Sequence, residues 1–238
     1  MSATSLVWRE RPGARLYLVA GILFLTGVFW SFARSYFLRA LFMATPLPVP
    51  LRLHGMVMTG WVLLLVVQSG LVAIHRIRWH RLLGFGGAGW AVLVVASGSI
   101  ATVHAAAREV AGHTLDARSQ VTILGLELTQ MVLFAAFVGT AVLLRGRTDV
   151  HKRLMLLTIP CMLPSVIARL PISLGRNMLI LLYTDLFVLA CVGVDTFREG
   201  RLHPAFAWGG GSFLLALQIA FFAFQTNAWI HLGTRLVS

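Results

Sequence analysis

The chain has 238 residues, 58% of them hydrophobic and 12% charged, and its mean hydropathy is +0.83. A soluble domain carries about 25% charged residues, so this composition excludes an ordinary globular protein and points to a polytopic helical membrane protein. The formal charge of +12 comes from 19 Arg and one Lys against eight acids; most of the bases stand at the ends of apolar runs, where they read as headgroup contacts and topology signals and exclude a nucleic-acid binder.

Seven apolar spans are read along residues 1–238, which form a single all-α transmembrane domain: about 16–36, 53–74, 83–105, 120–144, 153–173, 177–196 and 205–226. The first fifteen residues lack the short apolar core and small-residue cleavage site of a secretory signal, so the first helix is expected to be retained. Between the first two spans, P-L-P-V-P at 46–50 predicts an extended connection, because proline has no amide hydrogen to give a helix interior. The polar stretch 106–119 predicts a loop on the same side, with room for a short surface helix in part of it. Loops on the side of the N-terminus carry 12 bases (among them Arg9, Arg11, Arg15, Arg76, Lys152 and Arg153) and the other side carries eight, including Arg176. The positive-inside rule therefore places the N-terminus on the cytoplasmic side of the membrane.

The stretch Asp149 to Arg169, which leads into the fifth span, is expected to organise the bundle. It opens on His151, Lys152 and Arg153, read as an interfacial anchor, is broken by Pro160 and Pro164, and ends on Arg169 inside apolar sequence. Proline removes a backbone hydrogen bond, and in lipid the freed carbonyls need other partners. Cys161 and Cys191 lie in apolar runs and read as packing residues, and Gly209, Gly210 and Gly211 as a surface for close helix approach. R-I-R-W-H-R-L-L-G around His80 and R-G-R-T-D-V-H-K-R-L-M around His151 share an Arg-x-Arg pair, then a His, a base and a Leu, which suggests a duplicated hairpin: helices 2–3 and 4–5.

Ionisable residues at similar depth mark the outer half: His54, His104, Glu127, Arg169 and Asp185. A charge near the bilayer centre costs a few kcal/mol, so each needs a partner or water; Arg169 is expected to pair with Asp185 or Glu127. Three chemistries suit such a cavity. Haem needs two imidazoles facing each other from different helices, which His54 and His104 could supply, with Arg169 on a propionate and His80 and His151 as a second pair. A divalent metal could be held by His54, His104, Glu127 and Asp185 and could activate water for intramembrane hydrolysis. A small ion- or proton-coupled carrier would use Glu127, Asp185 and Arg169 as a relay. No catalytic residue is assigned. His75, His113, His203 and His231 read as exposed residues of loops and ends.

H-R-L-L-G at 80–84, H-K-R-L-M at 151–155 and G-R-L-H-P-A at 200–205 resemble elements of uncharacterised bacterial inner-membrane proteins, one group of which is linked to assembly of haem-copper oxidases. A four-helix core with paired histidines also resembles the dihaem b-type cytochromes, although here the histidines stand at helix ends. The resemblance implies a redox or oxidase-assembly role, haem b, and a respiratory membrane complex as partner.

Overall fold

The computed structural model describes residues 14–112, 116–174 and 177–237, and every regular element among them is helical. Arg9, Arg11, His113 and Arg176, and the side chain of Arg15, lie outside that set. Among the described residues six helices are long and apolar enough to cross a membrane, which makes this a multi-pass membrane protein whose outward faces meet lipid.

Helix α1 (Ala14–Phe32) runs through a π turn (Ala33–Phe37) into the short α2 (Arg39–Phe42). Helix α3 (Val49–Ala73) begins inside the proline run: Pro48 caps it and Pro50 occupies its first turn, where no amide hydrogen is needed. The extended connection is therefore shorter than the sequence predicts. Helix α4 (Ile77–Gly112) is 36 residues long, about 54 Å at 1.5 Å per residue, and overshoots a hydrocarbon core of about 30 Å. Most of the loop expected at 106–119 is thus helix, and His104 sits inside α4. Helix α5 (Ala117–Leu143) follows, with the Asp116 carboxylate accepting from the Ser119 amide as its N-cap.

The fifth span is not a single helix. It consists of α6 (Thr148–Leu156), a series of turns over 157–162, α7 (Leu163–Ile167) and a 3-10 turn (Pro171–Ser173). Every residue from Leu156 to Met162 is buried. The last long helices are α8 (Asn177–Glu199) and α9 (Pro204–Ala223), and α10 (Asn227–Val237), which the sequence reading did not anticipate, folds back against α5 and α4.

Neighbours in sequence pack together: α3 on α4, α4 on α5, α1 on α3, and α8 on α9. Helix α5 also meets α6, α9 and α10. It is the most enclosed of the long helices, with 56% of its apolar window buried against at most 33% in the others. The centre of the bundle is thus shared by α5 and the broken segment. Small residues let helices close in: a side chain at Gly60 would strike the Trp90 ring, and one at Gly209 would strike Leu157. That agrees with the packing role read for the 209–211 glycines at its first member. Trp61 and Phe134 meet edge to face at 5.0 Å in the core between α3 and α5.

Arg153 corrects the expectation of a lipid-interface anchor. It is only 1% exposed, because its Nε donates to Asp195 Oδ2 at 2.7 Å and its Nη1 to the Asp149 carbonyl at 3.0 Å. Its Nη2 lies 3.1 Å from Glu199 Oε1, off the hydrogen-bond direction. Asp195 and Glu199 stand one turn apart on α8, so a single arginine ties α6 to the end of that helix. Nearby, Asp149 Oδ2 takes a 3.0 Å contact from His203 Nε2, which joins α6 to the start of α9.

Removing one partner of a buried pair leaves the other charge uncompensated. Arg153→Ala should therefore destabilise the bundle by about 3–5 kcal/mol, read as a lower melting temperature in detergent, whereas the apolar double variant Arg153→Met/Asp195→Leu recovers most of the loss. Asp149 gives a weaker, pH-dependent effect. The hydrogen bond from His203 holds its carboxyl below the ordinary carboxylate value, so its contribution is present above that value and is lost as pH falls through the lower, folded one. Asp149→Asn should lower the melting temperature slightly at neutral pH and flatten the acid side of the profile, the two profiles converging below the folded value.

Candidate functional site

Polar side chains collect at two ends. At the end opposite the Arg-rich loops, the His54 ring crosses to α4, with Nδ1 3.3 Å from Ser97 Oγ. It lies over Gly98: a β-carbon there would sit 3.5 Å from His54 Cε1 and 2.5 Å from Met131 Sδ. One turn on, Thr102 Oγ1 donates to Glu127 Oε2 at 2.7 Å. Glu127 and Met131 are one turn apart on α5, as Gly98 and Thr102 are on α4, so these contacts follow one helix–helix seam.

Arg169 does not form the expected ion pair with Asp185. Its Nη1 donates to the Ser165 carbonyl at 2.7 Å and its guanidinium lies 4.2 Å from the centre of the Phe32 ring. Its charge is within electrostatic range of Glu127 and His54. Asp185 instead accepts from Gln218 Nε2 at 2.7 Å, between α8 and α9. His104 is seven residues beyond Ser97 on the same face of α4, about 10 Å further along the axis, because α4 runs on past the start of α3. Its Nδ1 is buried without a hydrogen-bond partner.

The four residues read as metal ligands are therefore not gathered into one site. His54 is held by Ser97, Glu127 by Thr102 and Asp185 by Gln218. Among the described residues no three of His, Cys, Asp or Glu come together as a metal would require.

At the Arg-rich end the structure brings together a pair that the sequence suggested. His80, in the first turns of α4, and His151, in the first turn of α6, have ring centres 6.3 Å apart and ring planes at 84°. His151 Nδ1 lies 2.8 Å from the Ala141 carbonyl. A carbonyl can only accept, so Nδ1 carries the hydrogen, and Nε2 is left as the nitrogen with a free lone pair. His80 Nδ1 is buried without a hydrogen-bond partner. The surroundings are basic. Arg81 follows His80, and Arg145 lies 6.0 Å from the centre of the Phe85 ring, one turn further along α4.

His151 and Arg153 leave the short α6 about 200° apart, which sends the imidazole toward α4 and α5 and the guanidinium toward α8. The sequence reading missed the partners of this end, Asp195, Glu199 and His203, and at the other end Thr102 and Met131. The signal available for the first group was two acids one turn apart at the end of a span, facing the H-K-R run.

No protein-family model matches the chain, and neither a curated protein nor a solved structure is similar enough to match it.

Proposed function

We propose that this is a haem-binding protein of the bacterial inner membrane that holds b-type haem between His80 and His151 and carries single electrons in a respiratory context. The supporting observation is the disposition of the two rings, with centres 6.3 Å apart. A metal bonded to one nitrogen of each imidazole at about 2 Å holds the ring centres about 6 Å apart. The Ala141 carbonyl fixes the tautomer of His151 in the way that outer hydrogen bonds orient ligating histidines.

Haem suits the pair better than a bare divalent ion does. The porphyrin supplies the equatorial nitrogens, so two protein ligands are enough. A zinc or non-haem iron site takes three or four, and among the described residues no such group is assembled. Arg81 and Arg145 are placed to meet the propionates. A haem held by His80 and His151 would supply single-electron transfer.

In this reading the broken segment is the fifth of seven crossings, the Arg-rich end is cytoplasmic, and the site is the second pair named from the sequence, not the outer one. A duplicated hairpin accounts for its two ligands standing at equivalent places.

The test is an absorption spectrum of protein purified from cells with ample haem supply, air-oxidised and then dithionite-reduced. A Soret band with sharpened α and β bands on reduction is expected. His80→Ala and His151→Ala should each lose it, while His54→Ala and His104→Ala keep it. A featureless visible spectrum from folded protein overturns the reading, and stoichiometric metal in that colourless sample would mark a bare metal site instead.

A further inference from the structure

At Gly98 the bare backbone of α4 admits two side chains that carry ligand atoms, one from α3 and one from α5. A β-carbon at Gly98 would stand 2.5 Å from Met131 Sδ and 3.5 Å from His54 Cε1, the ring carbon bonded to both nitrogens. Those two distances cap the separation of the sulfur from that carbon at about 6 Å, and a metal ion bonded to an imidazole nitrogen and a sulfur at about 2.0 and 2.3 Å needs the two atoms about 4 Å apart. The nitrogen that would bond is also fixed. The Ser97 hydroxyl has one hydrogen and gives it to the Val94 carbonyl at 3.4 Å, so its oxygen accepts from His54 Nδ1–H at 3.3 Å. Nε2 keeps its lone pair, as Nε2 of His151 does at the other end. Both side chains are half-buried.

We infer that His54 Nε2 and Met131 Sδ form a binding site for a single Cu(I) ion at the end opposite the Arg-rich loops. The choice of ion follows from the ligands. An imidazole with a neutral thioether suits soft Cu(I), which is stable with few ligands. Zinc takes three or four, and among the described residues no group of three His, Cys, Asp or Glu is assembled for it. Charge points the same way: two neutral ligands leave a monocation among apolar helices, at lower cost than a dication. Arg169 lies in electrostatic range of His54 and opposes the ion, but Glu127, one turn before Met131 on α5 and also in range of Arg169, offsets that charge. Met131 has the rotatable bonds to bring its sulfur onto the ion, and Gly98 is needed as glycine because a β-carbon would take the sulfur's place. The site is separate from His80 and His151 and does not depend on the haem reading.

The experiment titrates Cu(I), kept reduced by ascorbate under nitrogen, into the detergent-purified protein against a chromophoric Cu(I) chelator. Wild type should retain one ion per chain, with X-ray absorption giving a sulfur at about 2.3 Å and a nitrogen at about 2.0 Å. Met131→Leu conserves volume and should melt like wild type. It and His54→Ala should each weaken binding more than about 100-fold, since loss of even an outer-shell partner costs about 10–100-fold; Ser97→Ala should fall in that smaller range. His80→Ala/His151→Ala should bind Cu(I) as wild type does, so the result stands whether or not haem occupies the other end. Wild type that yields all its copper to the chelator overturns the inference. So do Met131→Leu and His54→Ala variants that hold copper as tightly as wild type.

Discussion

Backbone that leaves the helix inside a membrane has to be enclosed by protein, because lipid offers no hydrogen bonds. In the seven-crossing arrangement proposed above, the turns over 157–162 fall under that constraint, and every residue from Leu156 to Met162 is buried. Pro160 and Pro164 cannot donate, so the segment closes with short-range bonds: Thr158 N to Met155 O, Ile159 N to Leu156 O and Met162 N to Ile159 O. Side chains serve carbonyls as well, with Thr158 Oγ1 also on Met155 O and Cys161 Sγ on Leu157 O. Cys161 is thus more than a small packing residue. Helix α5 and helix α9 close over the segment, Gly209 leaving the room that Leu157 fills.

A segment that lacks a continuous helix is held at its ends. At the Arg-rich end Arg153 supplies a charge-assisted bond to Asp195, shielded from water and salt by its burial. Such a pair is weak evidence for net stability, because desolvation offsets much of the attraction, but it fixes geometry: only one rotation of α6 places the guanidinium on α8. The same rotation aims His151 at Ala141 and His80. The histidine pair and the ion pair are therefore two consequences of one short helix being set in one orientation.

The two ends of the bundle use polar residues differently. At the Arg-rich end basic and acidic groups meet between helices, as Lys152 does with Glu199 at 3.7 Å and Arg153 with Asp195, while His203 Nε2 donates to Asp149 Oδ2. At the opposite end several polar groups find neutral neighbours: His54 has Ser97 and Glu127 has Thr102, while Asp185 has Gln218 deeper in the bundle. Hydroxyls and amides satisfy isolated acids and imidazoles inside apolar surroundings without bringing a second charge into lipid.

The sequence by itself determined the class of protein, six of the spans to within a few residues at most ends, and the break at Pro160 and Pro164, and it named His80 and His151 together, whose rings the structure brings close. Apolar run length and proline chemistry are local properties, so a single chain displays them. It misjudged Arg153 as an interfacial anchor and depth-matched His54, His104, Glu127 and Asp185 into one site, because depth along a span says nothing about the direction in which a side chain leaves its helix. Only the tertiary structure decided that, through the seam on which Gly98 admits His54 and Met131, the length of α4 that carries His104 past α3, and the rotation of α6. Azimuth and register between helices depend on what each face packs against, and those contacts join residues far apart in the chain, such as Arg153 and Asp195.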